Sequence, residues 1–384
     1  MKIDGIIRGW YEKNRRDLPW RHTGNPYKIW LSEIILQQTR VQQGLNYYLD
    51  FIKVFPDVNS LALASEDKVL KQWQGLGYYS RARNLHRAAK DVVEQMEGEI
   101  PRTYDGLIKL KGVGNYTASA IASICFGEPR AVVDGNVSRV IARLYGVEEP
   151  INSTVGIKSI AFLAHELLDK DDPGNHNQAI MEFGALHCVP HSPDCSTCPL
   201  FLPCEARRTG RVDQLPVKIP KRKPVEQWMY FYIIICNGET LFSKRGTDGI
   251  WSSLYQFPVV ESNLPLSEEE MLGTKLDQLI RGADYGGDRD CVPTGESERV
   301  PTGKRERVPT GIRSLWPDQL TIGKISDPIR HQLTHRTIHA RFIHVETGTW
   351  PDPLPAGWIK ISLEQVDDFP VPRLINRYME VVKI

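Results

Sequence analysis

Two textures of apolar patterning divide this chain. Up to about residue 208, apolar side chains recur at steps of three and four, the period of a helix with one buried face. The stretches 3–11, 27–36, 41–55, 69–73, 85–96, 107–110, 117–126, 137–145 and 157–168 follow this period. Short Gly, Pro, Asn or Asp joints separate them, which predicts a multi-helix domain. From Trp228 the pattern changes. Trp228-Met-Tyr-Phe-Tyr-Ile-Ile-Ile-Cys236 is rich in aromatic and β-branched residues, and Asn237-Gly238 joins it to Glu-Thr-Leu-Phe-Ser-Lys-Arg245. Two such runs across Asn-Gly predict a type I′ hairpin. Residues 337–345 and 358–363 read as further strands, and a helical stretch closes the chain from Glu364, so the second domain is α+β.

Between the two lies 209–226, TGRVDQLPVKIPKRKPVE, where Pro216, Pro220 and Pro224 favour an extended path. Lys218, Lys221, Arg222 and Lys223 make it basic. It reads as a tether, or as a strap along a phosphate backbone. Inside the second domain, Val-Pro-Thr-Gly recurs at 292–295, 300–303 and 308–311. The period is too short and polar for a solenoid, so 285–313 is expected to be a low-complexity insertion without catalytic role.

Length and charge add boundaries. The 384 residues suit two domains, 1–208 and 227–384, each with its own core. Net charge is +1, with 25 Lys+Arg against 24 Asp+Glu up to residue 208, so composition alone announces no nucleic-acid partner. Any such affinity must come from local patches and oriented amides. No apolar run approaches the roughly 20 residues of a membrane helix, and the start carries no signal-peptide core. A cytoplasmic, nucleoid-associated monomer without a membrane partner is expected.

The densest chemistry is Cys188-x6-Cys195-x2-Cys198-x5-Cys204, four of seven cysteines within seventeen residues. The prolines between them deny the loop helix donors, so something else must set its shape. Four thiolates on unequal loops could wrap an iron–sulfur cluster. Structural zinc and disulfides are the alternatives; against disulfides, Cys125, Cys236 and Cys291 are scattered and leave an odd total.

Three further stretches carry candidate chemistry. Leu110-Lys-Gly112-Val-Gly114-Asn-Tyr116 lies between two helical stretches. Its glycines allow a tight turn that uncovers N–H groups at a helix start, a clamp for phosphate. Ala131-Val-Val-Asp134-Gly-Asn136-Val-Ser138 places a carboxylate just before a helix. Such an Asp is most often a cap, but a fixed anion also stabilises a sugar oxocarbenium ion. Trp30-Leu-Ser-Glu33-Ile-Ile-Leu-Gln37-Gln38-Thr-Arg40 buries a carboxyl among Ile29, Trp30 and Leu36. Desolvation there would raise its pKa, letting it donate a proton near neutral pH. Arg83, Arg87 and Lys90 form a basic stripe, a weaker candidate for DNA contact.

The cysteine spacing closely resembles the 4Fe–4S loop of the endonuclease III and MutY DNA glycosylases. The glycine turn resembles their helix-hairpin-helix, with Lys111 where proline is frequent, and LSEIILQQTR resembles the MutY signature. The resemblance is dense over 1–208 and looser beyond. It implies an all-α helix-hairpin-helix glycosylase domain with a 4Fe–4S cluster on Cys188, Cys195, Cys198 and Cys204, and a Nudix-like C-terminal domain. It implies a monofunctional glycosylase removing adenine mispaired with 8-oxoguanine or guanine in double-stranded DNA. Glu33 would protonate the adenine and later activate water; Asp134 would stabilise the sugar cation; Tyr116 and Asn136 would support them. Trp20, Arg21 and Glu182 would line the adenine pocket, and Gln38 and Tyr78 would enter the base stack. Gly112 and Gly114 would hold phosphate. Thr334, where serine is common, and His335 would read 8-oxoguanine. The spacing of Glu268–Glu270 lacks a Nudix metal motif, so no pyrophosphatase is expected.

Two other functions fit parts of the pattern. One is an endonuclease III-type glycosylase-lyase, but such lyases place a lysine at Tyr116 and lack Glu33. The other is a non-catalytic iron–sulfur protein that only docks on DNA.

Overall fold

The computed structural model describes residues 2–220, 223–273 and 320–382. The repeat-bearing insertion expected over 285–313 lies outside them. The chain divides into two compact units, Met1–Lys221 and Arg222–Ile384. Among the described residues, no helix is long and apolar enough to cross a membrane.

The first unit is helical: α1 (Ile3–Asn14), α2 (Pro26–Leu36), α3 (Val41–Val54), α4 (Val58–Leu63), α5 (Glu66–Gln72), α6 (Ser80–Gln95), α7 (Tyr104–Leu107), α8 (Asn115–Phe126), α9 (Gly135–Tyr145), α10 (Thr154–Leu167), α11 (Pro173–Leu186) and α12 (Glu205–Arg208). Two helices are central. In α2, every residue from Ile29 to Ile35 is buried, and in α8 every residue from Thr117 to Ser123. Helices apolar all round have no solvent face to offer, so neighbours cover them on every side. α1, α9, α10 and α11 build an adjoining core through Ile7, Ile141, Ile160, Ile180 and Phe183. The helix α11 was not among the periodic stretches read from sequence. Pro173 at its first position and buried His176, Ala179, Ile180 and Phe183 carry the helical period there.

The segment expected to be a tether is docked on this unit as far as Ile219. Arg143 donates from Nε to the carbonyls of Val212 (3.1 Å) and Leu215 (3.0 Å). The Ile151 N–H donates to Val217, and Asn152 exchanges hydrogen bonds with the Ile219 backbone.

Among its described residues, the second unit has a mixed eight-stranded sheet: β1 (Val225–Cys236), β2 (Glu239–Lys244), β3 (Tyr255–Gln256), β4 (Val259–Ser262), β5 (Thr321–Ile325), β6 (Ile329–Gln332), β7 (Arg336–Glu346) and β8 (Trp358–Ser362). The β1–β2 turn has positive φ at both Asn237 (50°) and Gly238 (77°), as a type I′ turn requires. β1 pairs in parallel with β7 from Val225 to Ile235. Met229, Phe231 and Ile233 face a core closed by α14 (Arg373–Val382) through Leu374, Ile375 and Tyr378. Tyr230, Tyr232 and Ile234 face a second core with Met271 of α13 (Glu268–Leu272). Burial on both faces explains why β1 reads as a continuous apolar run.

Candidate active site

Glu33 sits in the middle of α2, which Asn25 caps by accepting the Lys28 N–H and which Pro26 starts. The carboxyl is only 8% exposed. Burial pushes it up to about 7; the hydroxyl of Tyr116 donates to it and holds it from rising further, while the nearby charge of Asp134 raises it. Tyr116 comes from the first turn of α8, and its hydroxyl lies 3.4 Å from Met181 Sδ on α11. Cys125, on the same helix, also senses Glu33, and burial pushes its thiol up to about 12.

Asp134 caps α9. Its Oδ1 accepts the Val137 N–H (2.7 Å) and its Oδ2 accepts from Asn136 Nδ2 (2.8 Å). Burial raises its pKa, and these two donors oppose the rise. Two donors hold this capping carboxylate, and its charge reaches the Glu33–Tyr116 pair. Asn136 in turn accepts from Arg139 (3.0 Å), whose guanidinium donates to the carbonyls of Gly184 (2.5 Å) and Cys188 (2.7 Å). Ser138 bonds the Asp134 carbonyl (2.7 Å).

A different carboxylate environment surrounds Glu182 on α11. Arg16 reaches it through its backbone N–H, Nε and Nη2, and Arg21 through Nη1 and Nη2, at 2.6–2.9 Å. Although burial opposes ionisation, these donors hold Glu182 at about 2. The structure thus unites Arg21 and Glu182, which are far apart in sequence, and adds Arg16. Arg16 escaped sequence reading because an Arg-Arg pair at a helix exit looks like an ordinary charged end. Trp20, beside Arg21, is buried edge-on against Tyr48 at 5.1 Å.

The glycine turn between α7 and α8 has Gly112 at φ +79°, and a Cβ there would meet Asn84 Cβ at 2.6 Å. Gly114 begins α8 with no side chain capping the first turn and open space where its Cβ would be. Its helix start is open to an anion. Gln38 and Tyr78 are both exposed, and both have positive φ, 56° and 49°. The basic stripe on α6 is mixed: Arg87 pairs with Asp91 at 3.2 Å, and Arg83 is partly buried.

In the cysteine loop, all four sulfurs are free thiols. Cys188 and Cys204 lie near enough to influence both Cys195 and Cys198 electrostatically. Asp194 shapes the short Cys195–Cys198 link by accepting from the Ser196 and Thr197 hydroxyls and backbone N–H groups. Arg143 braces the loop from below, donating to the carbonyls of Val189 (2.7 Å) and Pro190 (3.0 Å).

The family described as HhH-GPD superfamily base excision DNA repair protein matches residues 31–156, and the NUDIX domain family matches 229–381. The adenine DNA glycosylase of Buchnera aphidicola (Baizongia pistaciae) is 36% identical over 280 residues, covering 71% of this chain and 78% of that protein. The chain belongs to the adenine DNA glycosylase family. The human adenine DNA glycosylase is 44% identical over 220 residues, 55% of this chain, and the match spans 40% of the human protein's length. A solved thermostable thymine-DNA glycosylase superposes with a TM-score of 0.50 at 29% identity, covering 54% of this chain and 95% of that one. Membership makes this chain a base-excision-repair glycosylase with a helical catalytic domain and a Nudix-like domain.

In that second domain of the family member, Thr334 and His335 occupy the exposed turn between β6 and β7. The Leu333 N–H donates to the Arg336 carbonyl (2.8 Å), and Val225 N–H to that of His335 (3.0 Å), so the turn is fixed at its base. His331 and His339 belong to strands, and among the described residues no three His, Cys, Asp or Glu are set to hold a single metal ion.

Proposed function

We propose that this member of the adenine DNA glycosylase family hydrolyses the N-glycosidic bond of an adenine flipped out opposite 8-oxoguanine or guanine, leaving the DNA strand uncut. One observation carries the reading: Glu33, hydrogen-bonded by Tyr116, lies near enough to Asp134 to feel its charge, and is poised at about 7. Near neutral pH a protonated Glu33 can donate to a ring nitrogen of adenine, making it a neutral leaving group. As the bond breaks, positive charge grows on the sugar. Asp134, held by Asn136 and the Val137 N–H, supplies the fixed anion that stabilises it. Glu33, now a carboxylate, then takes the proton of the attacking water. Tyr116 holds Glu33 in place and offers no amine for a Schiff base, which supports hydrolysis without strand cleavage.

Trp20, Arg21 and Glu182 are assigned to the adenine pocket, Gly112 and Gly114 to phosphate. Gln38 and Tyr78 are assigned to the gap left by the flipped base. Thr334 and His335 are assigned to 8-oxoguanine; the threonine keeps serine's hydroxyl and adds a methyl. Cys188, Cys195, Cys198 and Cys204 would hold a 4Fe–4S cluster. A tetrahedral zinc would draw its sulfurs to about 2.3 Å from one point. The four free thiols on unequal loops suit a cuboidal group, which when bound would fix the loop through four thiolate bonds.

The test is single-turnover excision on duplexes with adenine opposite 8-oxoguanine, guanine or thymine, each read with and without alkali. Alkali-dependent release, fastest opposite 8-oxoguanine and absent opposite thymine, is expected. Strand cleavage without alkali at the rate of base release would favour the lyase instead. No release from any duplex would favour a docking protein.

A further inference from the structure

Gln38 and Tyr78 are forty residues apart, yet one buried side chain joins their turns. Gln38 follows the end of α2 and Tyr78 precedes α6, each on left-handed backbone that non-glycine residues seldom adopt. Such a backbone persists only where its surroundings over-determine it. Arg81 supplies those surroundings. Its Nη1 donates to the carbonyls of Ile34 (2.8 Å), Ile35 (2.8 Å) and Gln37 (2.7 Å). Its Nη2 donates to the Gly77 carbonyl (3.2 Å) and the Thr39 hydroxyl (3.4 Å). The same residue's backbone N–H donates to Tyr78 (2.9 Å), and its guanidinium lies over the Tyr78 ring at 5.6 Å. One planar fork therefore grips the residues on both sides of Gln38 and the residue before Tyr78. It also grips the two residues that directly follow Glu33. Lysine has one point charge and cannot span these acceptors.

We propose that Arg81 is a positioning residue whose guanidinium locks Gln38 and Tyr78 into a single wedge, held in register with Glu33. This rests on the assignment of Gln38 and Tyr78 to the base stack. The wedge is thereby tied to the backbone of the two residues that follow Glu33.

The test compares four full-length proteins: wild type, Arg81→Lys, the wedge-deleted Gln38→Ala/Tyr78→Ala, and their combination. Two signals are read on a duplex with adenine opposite 8-oxoguanine. One is single-turnover excision; the other is the fluorescence rise of a 2-aminopurine placed next to the mispair as the stack opens. Arg81→Lys is expected to slow excision about 10- to 100-fold, as misplacement by about an ångström does, and to shrink the fluorescence rise. Added to the wedge deletion, it should cost no more than about 2-fold further, since residues acting through one another are non-additive. Wild-type behaviour of Arg81→Lys overturns the proposal, and so does a loss that multiplies on top of the wedge deletion. Wild-type excision by the wedge-deleted protein would instead sink the base-stack assignment itself, and the proposal with it. Should Arg81→Lys not fold, Thr39→Val removes one of the fork's acceptors, together with the hydroxyl's own 3.4 Å bond to the Gln37 carbonyl. It should slow excision about 2- to 10-fold, again without adding to the wedge deletion, and an unchanged or multiplying rate overturns the proposal.

Discussion

Glu33 and Glu182 are both buried carboxyls of the helical unit, and they end in opposite states. Glu182 receives five N–H donors from two arginines and is held at about 2. Glu33 receives a neutral tyrosine hydroxyl, has another carboxylate nearby, and is pushed up to about 7. Burial opposes ionisation in both, so burial alone does not decide the outcome. The partners do: paired charge overrides desolvation, and a single neutral donor does not. One carboxyl is thereby held as an anion, and the other is left able to bind a proton near neutral pH.

The largest effect should separate the two by chemistry. Glu33→Gln is expected to lower single-turnover excision roughly 10³-fold or more while mismatch binding, measured by titration, stays within about 3-fold. Excision within tenfold of wild type would mean that Glu33 is not the acid, and the contrast with Glu182 would lose its functional meaning. The wild-type pH profile sharpens the same point. Excision should fall as pH rises through about 7, approaching tenfold per unit above it as the proton leaves Glu33. A rate flat from pH 6 to 9 would break it.

Stability should show the other half of the contrast. Glu182→Gln leaves Arg16 and Arg21 without their anion, an uncompensated charge worth about 3–5 kcal/mol when fully buried. Arg16 is 35% exposed on its side chain, so the lower end is expected, read as a drop in denaturation midpoint. The two carboxyls should also act in opposite pH windows. The raised pKa of Glu33 costs nothing below its unfolded value near 4.5, and the cost grows as pH rises from there to about 7. Glu33→Gln should therefore gain on wild type by about 2–3 kcal/mol across that window. The depressed pKa of Glu182 stabilises above about 4.5, and that contribution is lost as pH falls toward 2. Parallel denaturation curves for wild type and Glu33→Gln from pH 4.5 to 7 would contradict the tuned carboxyl.

The smallest effect lies in the second unit. Thr334→Ser deletes one methyl from an exposed turn, so discrimination between 8-oxoguanine and guanine should change less than about 3-fold. A larger change would make the methyl itself a reader of the lesion.

Local signals carried much of this far. Asn237-Gly238 announced its hairpin because few residues take positive φ at two successive positions. The apolar surroundings of Glu33 announced a desolvated carboxyl because α2 is apolar all round. The strands β3 to β6 were not read: β3, β4 and β6 have only two to four residues, too few to show a period, and Gly323 interrupts β5. The tether over 209–219 looked free because its docking depends on Arg143, Ile151 and Asn152, far upstream. Arg16 and Arg81 were invisible for a related reason. Glu182 lies 166 residues from Arg16, the α2-end carbonyls that Arg81 grips lie 44–47 residues from it, and neither arginine stands in a motif.

The sequence by itself determined the two-domain order, the central helices, the hairpin chemistry and which residue types stand at each candidate position. These follow from nearest neighbours along the chain, where propensity and periodicity act. Only the tertiary structure decided that Glu182 stays ionised although buried. That depends on whether a guanidinium arrives from another helix, and the range of charge interactions is set by distance in space rather than along the chain.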